Sequence, residues 1–375
     1  MEWICDLTLS NEDAEYAASK FEEYYTQFED MSEYFRKVKL ERVDEMPRPL
    51  LGMNVSDDFF QDFDMHPNDM EFVVDWNPEP QVFHDYLSVV SSQVIEMSNP
   101  GRKVIFIVRE KNTGKIVGFG RMGSPMMNIK PRNTYFGEVL SAEEMPVFNK
   151  HALMGMIIIP VQPFGYNYLG GKLLALMCIS HELREVVNQK YDMDMCHFET
   201  TSLYGSTKSM SQYDGLKPFI KGQGLTESNF APLMNDEYFR DLEKWFVDKN
   251  GGEAIVWPGA SSRKMKAQAK MVGIIKSSLK KHDTKAYELF TKEIANASDV
   301  TTQKRFYMST YGYENARDVL LGKTNILTKA ENYDRFELEN ITKWWKKLAT
   351  KRYNNISKDG RLRKELEVFN KDTMN

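Results

Sequence analysis

Met156-Ile-Ile-Ile-Pro160-Val-Gln162-Pro-Phe-Gly165-Tyr-Asn167-Tyr-Leu-Gly170-Gly171-Lys172-Leu-Leu174 joins an apolar run to a glycine-rich polar loop and then to a second apolar pattern. A short apolar run bounded by Gly and Pro reads as a buried strand, here Leu153 to Ile159, and the residues from about Leu169 to Asn188 read as the helix that follows. The start of such a helix leaves unpaired backbone amides, and glycines allow an anionic ligand to approach them. Gln162, Gly165, Asn167, Gly170, Gly171 and Lys172 are therefore the candidate cofactor-binding residues, Lys172 adding a positive charge. The same glycines equally suit close packing of helix on strand. Their spacing fits neither the Walker loop nor the dinucleotide fingerprint.

Upstream, Val104–Arg109 and Lys115–Arg121 flank a turn at Asn112-Thr113-Gly114 and predict a β-hairpin. Downstream, Met193–Phe198 reads as another strand. Three strands, a helix and a strand make a mixed α/β (α+β) sheet flanked by helices. Helical spacing predicts further helices over residues 10–45, near 237–247, and over 262–281, 284–297, 316–321 and 338–352.

The strand Met193–Phe198 runs into Glu199-Thr200-Thr201-Ser202-Leu203-Tyr204, and loops at sheet ends are where reactive groups gather. Glu199 is the candidate general base, and Ser202 or Tyr204 the donor to a leaving group or oxyanion. The alternative is that Thr200, Thr201 and Ser202 cap a turn. Tyr213 suits stacking on a base, and His151, just before the apolar strand, is a further catalytic candidate. His66, His84 and His282 have no partners at ligand spacing, so no histidine metal site is expected. Cys178 and Cys196 lie among apolar residues and read as packing.

The strand, Gln162-x-x-Gly165 and the helix together resemble the pyrophosphate loop of GNAT acyltransferases, with Asn167 standing where that pattern has a small residue. Gly118-x-Gly120-x-x-Gly123-Ser124-Pro125 and Asn167 bring the segment from Gly114 to Tyr213 nearer to phage Mom-type DNA-modification proteins. That resemblance implies a GNAT-like fold and a transferase that attaches a small acyl, carbamoyl-like or amino-acid group to a base in DNA. It implies as donor acyl-CoA or another phosphate- or carboxylate-bearing molecule. Two other classes compete: a non-catalytic DNA-binding or antirestriction protein on the same scaffold, and an acyltransferase acting on protein or small-molecule amines.

Charge divides the 375 residues. Residues 1–97 hold 6 Lys and Arg against 23 Asp and Glu, residues 98–256 hold 18 against 17, and residues 257–375 hold 25 against 14. Four regions are expected: an acidic helical extension (1–97), a GNAT-like catalytic domain (98–235), a connector (236–256) and a basic helical nucleic-acid-binding domain (257–375). In the last, cations alternate with aromatics, as contacts to DNA phosphates and bases require. Lys343, Trp344, Lys346, Lys347, Lys351, Arg352, Arg361 and Arg363 are its candidate contacts. The acidic stretch 56–75, with its interspersed Phe, reads as a solvated face or as a shield for the basic end. With three scattered cysteines, no secretory signal and no apolar run of about 20 residues, a cytoplasmic protein is expected, in host cytoplasm if phage-encoded.

Overall fold

The computed structural model describes residues 5–26, 55–91, 101–126, 128–202, 210–226, 233–234, 236–260, 263–302 and 304–368. The chain divides into two compact units, Phe35–Glu227 with Lys304–Asn375, and Met1–Tyr34 with Ser228–Gln303. This division runs along different lines from the four expected regions, because helical spacing reveals an apolar face but not which distant segment covers it.

The larger unit is built on a seven-stranded sheet in the order β1-β2-β3-β4-β5-β7-β6. The strands are β1 (Phe72–Asp75), β2 (Lys103–Glu110), β3 (Ile116–Gly123), β4 (Ala152–Pro160), β5 (His197–Ser202), β6 (Lys221–Leu225) and β7 (Arg305–Ser309). Only β4 and β5 pair in parallel; the other neighbours are antiparallel. The mixed α/β class expected from sequence is therefore the observed one. The β2–β3 hairpin is closed by Glu110, whose buried carboxylate accepts from the Thr113 amide (2.8 Å) and hydroxyl (2.9 Å).

Around the sheet lie α2 (Pro80–Val90), α3 (Lys130–Phe136), α4 (Met145–His151), α5 (Phe164–Tyr168), α6 (Gly170–Met177), α7 (His181–Tyr191), α11 (Ala316–Leu320) and α12 (Leu338–Lys358). The helix expected over 169–188 is broken in two where Ser180 caps α7, its hydroxyl accepting from the Leu183 amide at 3.2 Å. Strand alternation sends Val104, Phe106, Val108 and Phe198 into the main core beneath α6 and α12, and Ile105, Ile107 and Phe119 into a second core with Phe83 and Leu87 of α2.

Part of the acidic stretch belongs to this unit. Phe60, Phe63 and Met70 are buried in the main core, and Phe59 in the second. Its polar rim meets the basic end: Lys364 pairs with Asp64 at 2.6 Å, and Lys346 donates to the Asn68 carbonyl at 2.9 Å. The alternating Phe positions thus anchor the segment instead of leaving it as a solvated face.

The smaller unit is helical, built from α1 (Asn11–Thr26), α8 (Asp236–Lys249), α9 (Arg263–His282) and α10 (Thr284–Thr302). Phe21, Tyr24, Phe246, Met271, Ile275 and Phe290 form its core. Ser10 caps α1 by accepting from the Asp13 amide at 3.1 Å, and Asp13 pairs with Lys249 at 2.7 Å. No helix among the described residues is long and apolar enough to cross a membrane.

Candidate functional site

β5 is the strand on which the expected chemistry depends, and alternation splits it between two environments. Phe198 and Thr200 face the main core, where the Thr200 hydroxyl donates to the Gly155 carbonyl at 2.9 Å and lies 3.4 Å from the Tyr213 hydroxyl. His197 and Glu199 face the other way. Glu199 and Tyr213, expected to work together, are therefore separated by the sheet itself.

Glu199 is fully buried, as are its partners. Arg132, from α3, donates Nη1 to both carboxylate oxygens at 3.0 and 3.3 Å, and Nη2 to the Met126 carbonyl at 2.7 Å. His197 Nε2 lies 3.3 Å from Glu199 Oε2, while its Nδ1, also buried, has no hydrogen-bond partner among the described residues. The Arg132 guanidinium lies 4.5 Å from the Phe148 ring centroid, and that ring packs against His197 at 5.9 Å. A carboxylate so placed neutralises a buried cation, and a buried pair of this kind stays favourable only when its remaining polar atoms are also bonded. Spacing could not have found Arg132, which lies 67 positions before Glu199.

The remaining expected catalytic residues scatter. Ser202 ends β5 opposite Arg305 and is nearly buried. Tyr213 is buried with its ring 5.0 Å from that of Tyr307, and burial pushes its phenol up to about 12. His151 ends α4, its Nδ1 lying 2.6 Å from the Asp194 carbonyl. Tyr204 lies outside the described residues. Cys178 and Cys196 are buried, and desolvation holds both thiols well above their ordinary range, which disfavours the reactive thiolate.

The glycine-rich loop is filled by the protein's own atoms. The amide of Gly165 donates to Val161, that of Tyr166 to Gln162 Oε1 (3.0 Å) and that of Asn167 to Pro163. Added Cβ atoms would lie 2.5 Å from Phe164 at Gly170 and 2.3 Å from Gln212 Oε1 at Gly171, so side chains already occupy the approach that a ligand needs. Asn167, fully buried, bonds both backbone groups of Arg363: its Nδ2 donates to the carbonyl at 2.7 Å and its Oδ1 accepts from the amide at 3.2 Å. Lys172 donates to the carbonyls of Gln212 (3.1 Å) and Asp214, and burial lowers its ammonium below the usual lysine range. The expected anion cradle is thus a junction that ties the 211–215 turn and the C-terminal segment to the sheet.

The Gly118-x-Gly120-x-x-Gly123 pattern also has a packing origin. A Cβ at Gly120 would lie 2.0 Å from the Phe106 ring, one at Gly118 2.5 Å from Leu174, and one at Gly123 2.7 Å from Met156. Small residues are needed on β3 because large neighbours lie flat across it.

Of the expected nucleic-acid contacts, several are used internally. Trp344 packs on Phe219 at 5.0 Å. Arg352 and Arg363 both lie over the Tyr166 ring, at 4.5 and 4.0 Å from its centroid. Arg361 and Arg363 pair with Asp359 and Glu367. Lys343, Lys347 and Lys351 remain exposed on α12.

A family model described as "Druantia protein DruA" matches residues 73–210. That span takes in Arg132, His197 and Glu199 and the glycine-rich loop. The chain is 26% identical over 242 residues to the Druantia protein DruA of Escherichia coli (strain UMEA 4076-1), an alignment that covers 57% of this chain and 56% of that protein. The chain thus spans little more than half the length of that relative. No solved structure matches it. The resemblance to phage Mom-type proteins is corrected by these matches, and the expected base-modifying transferase, its antirestriction and amine-acyltransferase alternatives and its phage setting fall with it. Those loose motifs were glycines and polar residues placed by packing, which different folds share.

Proposed function

We propose that the chain is a component of a Druantia-type anti-phage defence system in bacteria. The similarity to DruA over residues 73–210 carries this reading. It is supported by where the similarity falls: on the segment that supplies five adjacent strands, β1 to β5, and the buried Arg132–Glu199–His197 cluster. This reading assigns the cluster to holding the sheet's shape. A defence role is tested by plating a panel of phages on cells that carry the gene in its native locus and on cells from which it alone is deleted. Deletion should raise plating efficiency for at least one phage by ten-fold or more, and expression of the gene from a plasmid should restore protection. Equal plating on both strains across the panel removes the reading.

A further inference from the structure

α12 has two unlike sides. Ile341, Trp345, Ala349 and Ile356 are buried in the sheet unit. At about 100° per residue, Lys343, Lys347, Lys351 and Lys358 fall within about 80° of one another, roughly opposite that buried side. All four are exposed, and none makes an ion pair with a described residue. Asn354 and Asn355, also exposed, lie along the same stretch. From Ile341 to Lys358 the sequence holds six Lys and Arg and no Asp or Glu, so the one carboxylate of the helix, Glu339 in its first turn, lies at the N-terminal end of the stripe, four positions before Lys343. With a rise of about 1.5 Å per residue, the stripe runs for roughly 22 Å.

We infer that this stripe is a docking surface for the phosphate backbone of double-stranded nucleic acid, read without regard to sequence. Lysine supplies mobile point charges that match a row of phosphates, whereas base reading calls for forked or planar groups. The aromatics that single-strand binding requires are withdrawn. Trp345 is fully buried and donates Nε1 to the Leu169 carbonyl at 3.3 Å, Trp344 packs on Phe219, and Tyr353 stacks on Tyr168 at 5.4 Å. A solvated lysine face that serves solubility would also be exposed, but it has no need to exclude acids over five turns of helix. The inference goes beyond the defence reading and does not rest on it.

The test is binding of the full chain to a fluorescent mixed-sequence duplex of 20 base pairs between 50 and 200 mM NaCl. Four phosphate contacts give a slope of log K against log salt of about −3.6, a loss of roughly 10²-fold across that range. Combining Lys343→Gln, Lys347→Gln, Lys351→Gln and Lys358→Gln should make the slope shallower by about that amount. Lys346→Gln, whose lysine is engaged with the Asn68 carbonyl, should leave affinity within about two-fold, since it removes no phosphate contact. Should the four-fold variant not fold, Lys347→Gln with Lys351→Gln should make the slope shallower by about half as much, with circular dichroism showing a native spectrum. Failure of the unaltered chain to bind duplex at 50 mM salt, or a folded variant with an unchanged slope, overturns the inference. So does tighter binding to a single strand of equal length. These measurements use purified protein and no phage, so their failure is distinct from failure of the defence reading.

Discussion

Both oxygens of Glu199 are engaged, and the group that engages them, Arg132, is itself sealed from water. Removing one partner of such a pair leaves the other's charge buried without its counter-charge, which typically costs about 3–5 kcal/mol. Glu199→Gln keeps the side chain's shape and loses its charge, so urea unfolding should show a loss of that order. Replacing both residues, Arg132→Met with Glu199→Met, should lie closer to the unaltered protein than Glu199→Gln alone, because no lone charge remains. An unchanged unfolding midpoint for Glu199→Gln would show that the pair does not hold the sheet. The sequence did single out Glu199, because an acid opening a polar run where a strand was expected to end calls for an explanation. It could not say whether the explanation was substrate or arginine, because Arg132 reaches it only through the fold.

Elements show the same limit. The β2–β3 hairpin is legible from its alternation and its Asn-Thr-Gly turn, and it forms within two residues of the expected bounds. The glycines of β3 are legible as unusual but not as packing, since the Phe106 ring over Gly120 sits on the neighbouring strand and Leu174 over Gly118 on a helix 56 positions away. Gly120→Ala should destabilise the protein by about 1–3 kcal/mol through overpacking, read as a lower denaturation midpoint with an unchanged m-value. Stability equal to that of the unaltered chain would mean that the ring moves aside freely. β7 has no counterpart among the elements expected from spacing, yet it lies between β5 and β6, with Tyr307 opposite Thr200. Five residues of mixed character carry too little period to be distinguished from a loop.

On the scale of the whole chain, two separate cores predict two cooperative blocks. Phe290 is nearly fully buried in the helical unit, where its ring meets Phe21 edge-on at 5.9 Å. Phe290→Ala should cost that unit about 3–5 kcal/mol. Hydrogen exchange followed by mass spectrometry should then show faster exchange in residues 11–26 and 263–282, with β2 to β5 unchanged. Equal acceleration in both units would show that they unfold as one block.

The sequence by itself determined the mixed α/β class, the hairpin, most of the later helices and the solvent-facing lysines of α12, since each follows from local period or composition. Tertiary structure alone decided that the glycine loop is closed, that Glu199 belongs to Arg132, and that the N-terminal helix and residues 228–303 form one helical unit. Those outcomes depend on which atoms meet across long separations in sequence, and a buried polar group or a glycine takes its role from whatever fills the space beside it.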